Sequence, residues 1–164
     1  MLNNICKIIF LLFFLSCADD NSLNSDNNGL EDGDTIFGDF NNLNIVTWNI
    51  EHFPKSDQSL QYIEQAITLM NVDIVVLQEI ESTIYFNELI SLLGDNWLGH
   101  RYENSDWGEL SFLINTNHIE HTTPYSILNA EEYYFAYRPP YVLEFSYNNQ
   151  DFLLINVHYK CCGD

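Results

Sequence analysis

The chain has 164 residues, 24 Asp plus Glu against 5 Lys plus Arg, and a formal charge of −19 at neutral pH. Its length allows at most one domain of ordinary size. Its charge excludes tight, unaided gripping of duplex nucleic acid, which needs several cations to displace the counterions condensed on phosphates.

At the N-terminus, Lys7 precedes an apolar run from Ile8 to Leu15, of signal-peptide length and too short to span a bilayer. Ser16-Cys17 follows directly. A small residue before a cysteine at the end of such a run resembles the bacterial lipoprotein cleavage box. That resemblance implies lipidation of Cys17 and a lipoprotein of the bacterial cell envelope or the cell exterior, with ordinary signal cleavage as the alternative. Ala18 to Gly33 is rich in Asp, Asn, Ser and Gly and poor in apolar residues, so it cannot bury enough surface to fold. Residues 1–17 therefore read as an export segment, 18–43 as a disordered acidic tether and 44–164 as the folded part. Beyond the export segment the cations are Lys55, Arg101, Arg138 and Lys160. A phosphate substrate would have to be held mainly through a bound divalent metal.

The first strand is Ile45-Val46-Thr47-Trp48, running into Asn49-Ile50-Glu51. Pro54 breaks the chain, and Ser56 or Asp57 can cap a helix with Leu60, Ile63, Ala66, Ile67 and Met70 at helical spacing. Val72 to Leu77 is a second apolar strand and ends on Gln78-Glu79. Ser82 or Thr83 opens a second helix, with Ile84, Phe86, Leu89, Ile90 and Leu93 on one side and Gly94 as its stop. Glu109 to Asn115 is a strand, Asn115-Thr116-Asn117 a turn, and Ile119 to Thr122 a return. Tyr141 to Tyr147 and Asp151 to Val157 flank Asn148-Asn149-Gln150, a hairpin signal because Asn tolerates positive φ. The last run ends on His158. The pattern predicts one mixed β-sheet flanked by helices.

Open α/β sheets bind ligands at the carboxyl ends of their strands, so Asn49, Glu79 and His158 are the leading site candidates. A carboxamide and a carboxylate there point to a hard cation. Four cysteines are present. Cys6 leaves with the export segment and Cys17 would carry lipid. Cys161 and Cys162 pair with each other only through a strained ring, so partners elsewhere suit an oxidising envelope better. A zinc set of these two with His158 is disfavoured, since zinc sites rarely rely on neighbouring cysteines alone. His52, His100, His118 and His121 read as surface or turn residues.

Two stretches in particular, Asn44 to Ile50 and Asp73 to Glu79, resemble the first two motifs of the endonuclease/exonuclease/phosphatase family, the deoxyribonuclease-I-like metal-dependent phosphoesterases. Gly108 to Ile114, Tyr137-Arg138-Pro139-Pro140 and Ile155-Asn156-Val157-His158 resemble later motifs in the expected order. The resemblance covers roughly Asn44 to Asp164. It implies the N-terminal half of a four-layer α/β sandwich, with the second half missing. It also implies Mg²⁺ or Mn²⁺ bound by Glu79 with Asn49 as oxygen ligand or orienting donor, and catalytic roles for His158, Glu109 and Arg138. Glu109 is expected to hold His158 charged, because a nearby carboxylate raises an imidazole pKa. Arg138 offers a fork suited to phosphate.

The implied substrate is a phosphodiester or phosphomonoester, including nucleic acid. Tyr133, Tyr134, Phe135, Tyr137 and Tyr141 could stack a base or sugar, or pack as core. Gly38-Asp39-Phe40-Asn41 spells a later motif of the family but lies too early in the chain to serve as it. The family's water-orienting Asp-x-Asn and terminal Asp-His pair have no counterpart here. The expectation is therefore a fragment that binds metal and phosphate without turnover, with an uncovered sheet face open to self-association. The alternative is a non-catalytic phosphate-binding or protein-interaction lipoprotein built from a half-domain.

Overall fold

The computed structural model describes residues 7–9, 38, 41–103 and 109–159. Cys17, Lys160, Cys161 and Cys162 lie outside them, as does Asp39. Among the described residues no helix is long and apolar enough to cross a membrane.

In place of one mixed sheet there are two, packed face to face. A short strand β1 (Lys7–Ile9) belongs to the second sheet. Strand β2 (Ile45–Phe53) is followed by helix α1 (Ser59–Met70) and strand β3 (Ile74–Ile80), parallel to β2. Helix α2 (Thr83–Leu93) leads to β4 (Trp97–Arg101) and β5 (Glu109–Asn115), and the sheet order is β2-β3-β5-β4. Strands β6 (Glu120–His121), β7 (Tyr125–Ser126), β8 (Tyr141–Tyr147) and β9 (Gln150–Asn156) build the second sheet, where β1 pairs parallel to β9.

Helix α1 starts later than the capping residues predict. Gln58 is its N-cap, without a side-chain cap bond, and Asn71 ends it in the left-handed region. The Ser82 cap of α2 is as expected, its hydroxyl accepting from the Tyr85 N–H. Ile84 is not on the buried side: it is 76% exposed, while Phe86 and Leu89 are buried. Strand β4 carries no strong apolar alternation and is not legible as a strand. Its Gly99 is fixed by packing, since a Cβ there would lie 2.2 Å from Ile90 Cδ1 of α2.

The helices cover one face of the first sheet, burying Ile63, Ile67, Val75, Leu77, Phe86, Leu89 and Leu113 together. The other face, expected to lie open, is covered by the second sheet. Ile74, Val76, Phe112 and Ile114 pack there on Tyr141, Leu143, Phe145 and Leu154. The chain turns out of the first sheet after β5, so β6 pairs with β8 and not with β5 as a simple return would require. That crossover supplies the missing layer and removes the basis for self-association through this face. The β8–β9 hairpin turns at Asn148 and Asn149, both with positive φ, as the sequence predicts.

Gly38, within the expected tether, donates its N–H to the Met70 carbonyl at 3.0 Å. That contact is at the C-terminus of α1, beside the amino ends of β2 and β3. Gly38 is therefore at the sheet edge opposite Asn49 and Glu79.

His100 and His121 also meet, edge to face with centroids 5.3 Å apart. Burial, then the charge of His121, pushes His100 below its ordinary value of 6.5. The unfolded chain therefore takes up this proton more readily, so the stabilisation is present above the ordinary value and lost as pH falls. His158 acts with the same sign and exposed His52 with the opposite. We expect the unfolding free energy to fall between about pH 7.5 and about pH 5 and His100→Gln to flatten that slope in urea titrations. In the same assay Phe112→Ala, which opens the core between the sheets, should cost about 3–5 kcal/mol. Exposed Ile84→Ala should change stability by no more than about 0.5 kcal/mol.

Candidate metal and phosphate site

Parallel β2 and β3 deliver Asn49 and Glu79 to one edge of the first sheet. Their register slips there, from Asn49 beside Gln78 to Phe53 beside Ile80. Glu51, His52 and Glu79 all adopt positive φ within this bulge. Such bulges re-aim side chains, and left-handed non-glycine residues cluster at functional sites. The slip places two backbone donors. The Glu51 N–H reaches Asn49 Oδ1 at 2.9 Å, and the His52 N–H reaches Glu79 Oε2 at 3.2 Å.

With its oxygen so engaged, Asn49 turns its amide nitrogen to Glu79 Oε1 at 2.8 Å. His158 arrives from the second sheet, its Nε2 3.3 Å from Glu79 Oε1 and 3.5 Å from Asn49 Nδ2. Side chains from β2, from β3 and from the segment that follows β9 thus converge. Arg138 is 3% exposed, and its charge acts on His158. Glu109, fully buried, pairs in register with Ile80 and so comes to the same strand ends as Glu79.

His158 differs electrostatically from the expectation. Burial first and Arg138 second hold its pKa below the ordinary 6.5, and the opposing carboxylate is Glu79, not Glu109. The ring is therefore biased toward neutral, because desolvation outweighs a single carboxylate at its edge. Of the two roles open to the aromatic cluster, Tyr141 takes the core one: it is buried and stacks on Phe112, with centroids 5.4 Å apart. Tyr133, Tyr134 and Tyr137 are exposed.

Sequence reasoning left one important side chain without a role. Asn156, 1% exposed, donates through Nδ2 to the Leu77 carbonyl at 2.8 Å and the Ser111 carbonyl at 3.2 Å. Its Oδ1 accepts from Gln78 Nε2 at 2.9 Å. This clasp ties β9 to β3 and β5 two residues before His158. The signal was available: Asn156 falls in step with Phe152 and Leu154, on the inward face of an apolar strand.

Among the described residues no group of three or more His, Cys, Asp or Glu side chains is arranged to hold a metal. One carboxylate with a carboxamide behind it does fit a hard cation such as Mg²⁺, which keeps waters and shares its shell with phosphate. The set does not fit tetrahedral zinc, which takes three or four protein ligands.

No family model matches the sequence, and no curated protein matches it. Solved structures do. TDP2 from D. rerio, humanized by 14 mutations, is similar at TM-score 0.62 and 16% identity over 73% of this chain and 48% of its own. D. rerio TDP2 complexed with a single-strand DNA product matches at 0.57 and 17%, over 73% and 47%. The human Nocturnin catalytic domain with bound sulfate matches at 0.55 and 14%, over 73% and 50%. An endonuclease/exonuclease/phosphatase family protein from Leptotrichia buccalis matches at 0.53 and 14%, over 73% and 55%. The chain spans about half the length of these neighbours. Over that half it has the endonuclease/exonuclease/phosphatase, or deoxyribonuclease-I-like, fold.

Removing the clasp should be costly, because it strands buried polar partners. We expect Asn156→Ala to lower stability by about 1–3 kcal/mol, measured by urea unfolding.

Proposed function

We propose that the chain carries the metal- and phosphate-binding half of an exported phosphoester hydrolase, of the phosphodiesterase or nuclease class. The observation that carries this reading is the meeting of Asn49, Glu79 and His158 from two sheets, within 3.5 Å, beside buried Arg138. The neighbours support it: one is a complex with a single-strand DNA product and another holds a sulfate anion.

Glu79 would hold Mg²⁺ or Mn²⁺, and Asn49, by donating to Glu79 Oε1, would fix the direction in which that carboxylate points. The bound ion would supply Lewis-acid polarisation of a phosphoryl oxygen. Arg138 would bind the phosphate charge through its planar fork. His158, biased toward the neutral form, would accept a proton from attacking water or donate its ring N–H to a non-bridging oxygen. Because the chain spans half of its neighbours, hydrolysis is assigned to the complete two-half fold and metal-dependent phosphate binding to this half. Export and lipid anchoring at Cys17 are proposed from the sequence pattern, and cleavage before Cys17 would detach β1 (Lys7–Ile9) from the second sheet.

Calorimetric titration tests the site. About one Mn²⁺ should bind per chain, inorganic phosphate should bind more tightly with Mn²⁺ present, and Glu79→Gln should weaken Mn²⁺ binding more than tenfold. Unchanged Mn²⁺ affinity in Glu79→Gln would refute the assignment.

A further inference from the structure

Beside the phosphate-binding groups the surface is aromatic. Tyr133 and Tyr134 are each 71% exposed, Tyr137 57% and Tyr159 50%. Their placement follows from the backbone. The 3₁₀ segment Asn129–Phe135 ends in two successive left-handed residues, Ala136 with φ 52° and Tyr137 with φ 62°. Non-glycine residues pay for that conformation, and two together mark a segment held by its surroundings. Here the turn leaves Tyr137 in solvent while the next residue, Arg138, goes inward. The end of β9 repeats the arrangement: His158 is 8% exposed and Tyr159 stands out. The two places are joined, since the Phe135 and Tyr159 rings lie 5.7 Å apart at 34°. Tyr133 closes edge-on against Tyr137 at 6.1 Å.

Each buried phosphate-type group thus has an exposed aromatic as its immediate chain neighbour. We propose that Phe135, Tyr137 and Tyr159 form a stacking shelf for the nucleobase attached to a phosphate held at Arg138 and His158. The inference rests on the proposed function and specifies its substrate as a nucleotide of single-stranded nucleic acid. Charge favours this occupant. A chain of net charge −19 gains little from a polyanion's backbone, whereas a base is neutral and presents a π-face to any of these rings. Stacking also tolerates sequence, because every base has such a face.

The test compares AMP with ribose 5-phosphate by calorimetry on the full chain with Mn²⁺ present. AMP should bind about 5- to 150-fold more tightly, the range expected from stacking one base. Tyr159→Ala should shrink that ratio while leaving ribose 5-phosphate affinity unchanged, and Tyr159→Phe should restore it. Equal affinities in the wild-type chain would overturn the shelf without touching the phosphate site. So would a ratio that survives both Tyr159→Ala and Tyr137→Ala, or a dimer in sedimentation that Tyr133→Ser dissolves. Failure of ribose 5-phosphate to bind, or its indifference to Mn²⁺, would instead defeat the phosphoester reading itself.

Discussion

The site depends on one carboxamide. Asn156 is a buried polar connection between the sheets, and it bonds two backbone carbonyls and the Gln78 amide at once. Apolar contacts between sheets are non-directional and tolerate sliding. A buried amide whose donors and acceptor all have fixed partners does not. It therefore sets the register of β9 over β3. Two residues later that register becomes the 3.3 Å approach of His158 to Glu79. The bulge in β2 performs the same service for Glu79 from the other side, by aiming the His52 N–H at its carboxylate.

Much of this was legible in the sequence. The strands bearing Asn49, Glu79, Glu109 and His158, the Ser82 cap and the Asn148-Asn149 turn follow from local pattern and local chemistry. The pairing of β6 with β8 was not legible, because periodicity reports which residues face inward and not which sheet they face. Strand β4 was hidden for a related reason: its Gly99 is chosen by the side chain of Ile90, nine residues earlier on α2, not by strand propensity. The electrostatic state of His158 depends on burial and on Arg138, twenty residues away, and neither is a property of its own segment. Asn156 was visible as a polar residue on an apolar face, yet only the second sheet shows what it bonds.

Charge is used sparingly. Arg101 is spent on structure, donating to the Ile80 carbonyl and Thr83 and pairing with Glu103. Lys55 pairs with Glu51 on the surface. Buried Arg138 is the cation whose charge acts on His158. Under the proposed function, a divalent ion at Glu79 would offset the acidic charge of the chain and let Arg138 share the phosphate.

The most direct test is paramagnetic broadening by substoichiometric Mn²⁺ of the histidine ring signals in an NMR spectrum. The account predicts that His158 broadens first, because its Nε2 lies against Glu79, and that the His100 and His121 pair stays sharp. Broadening of that pair ahead of His158, or none at any histidine, would contradict it.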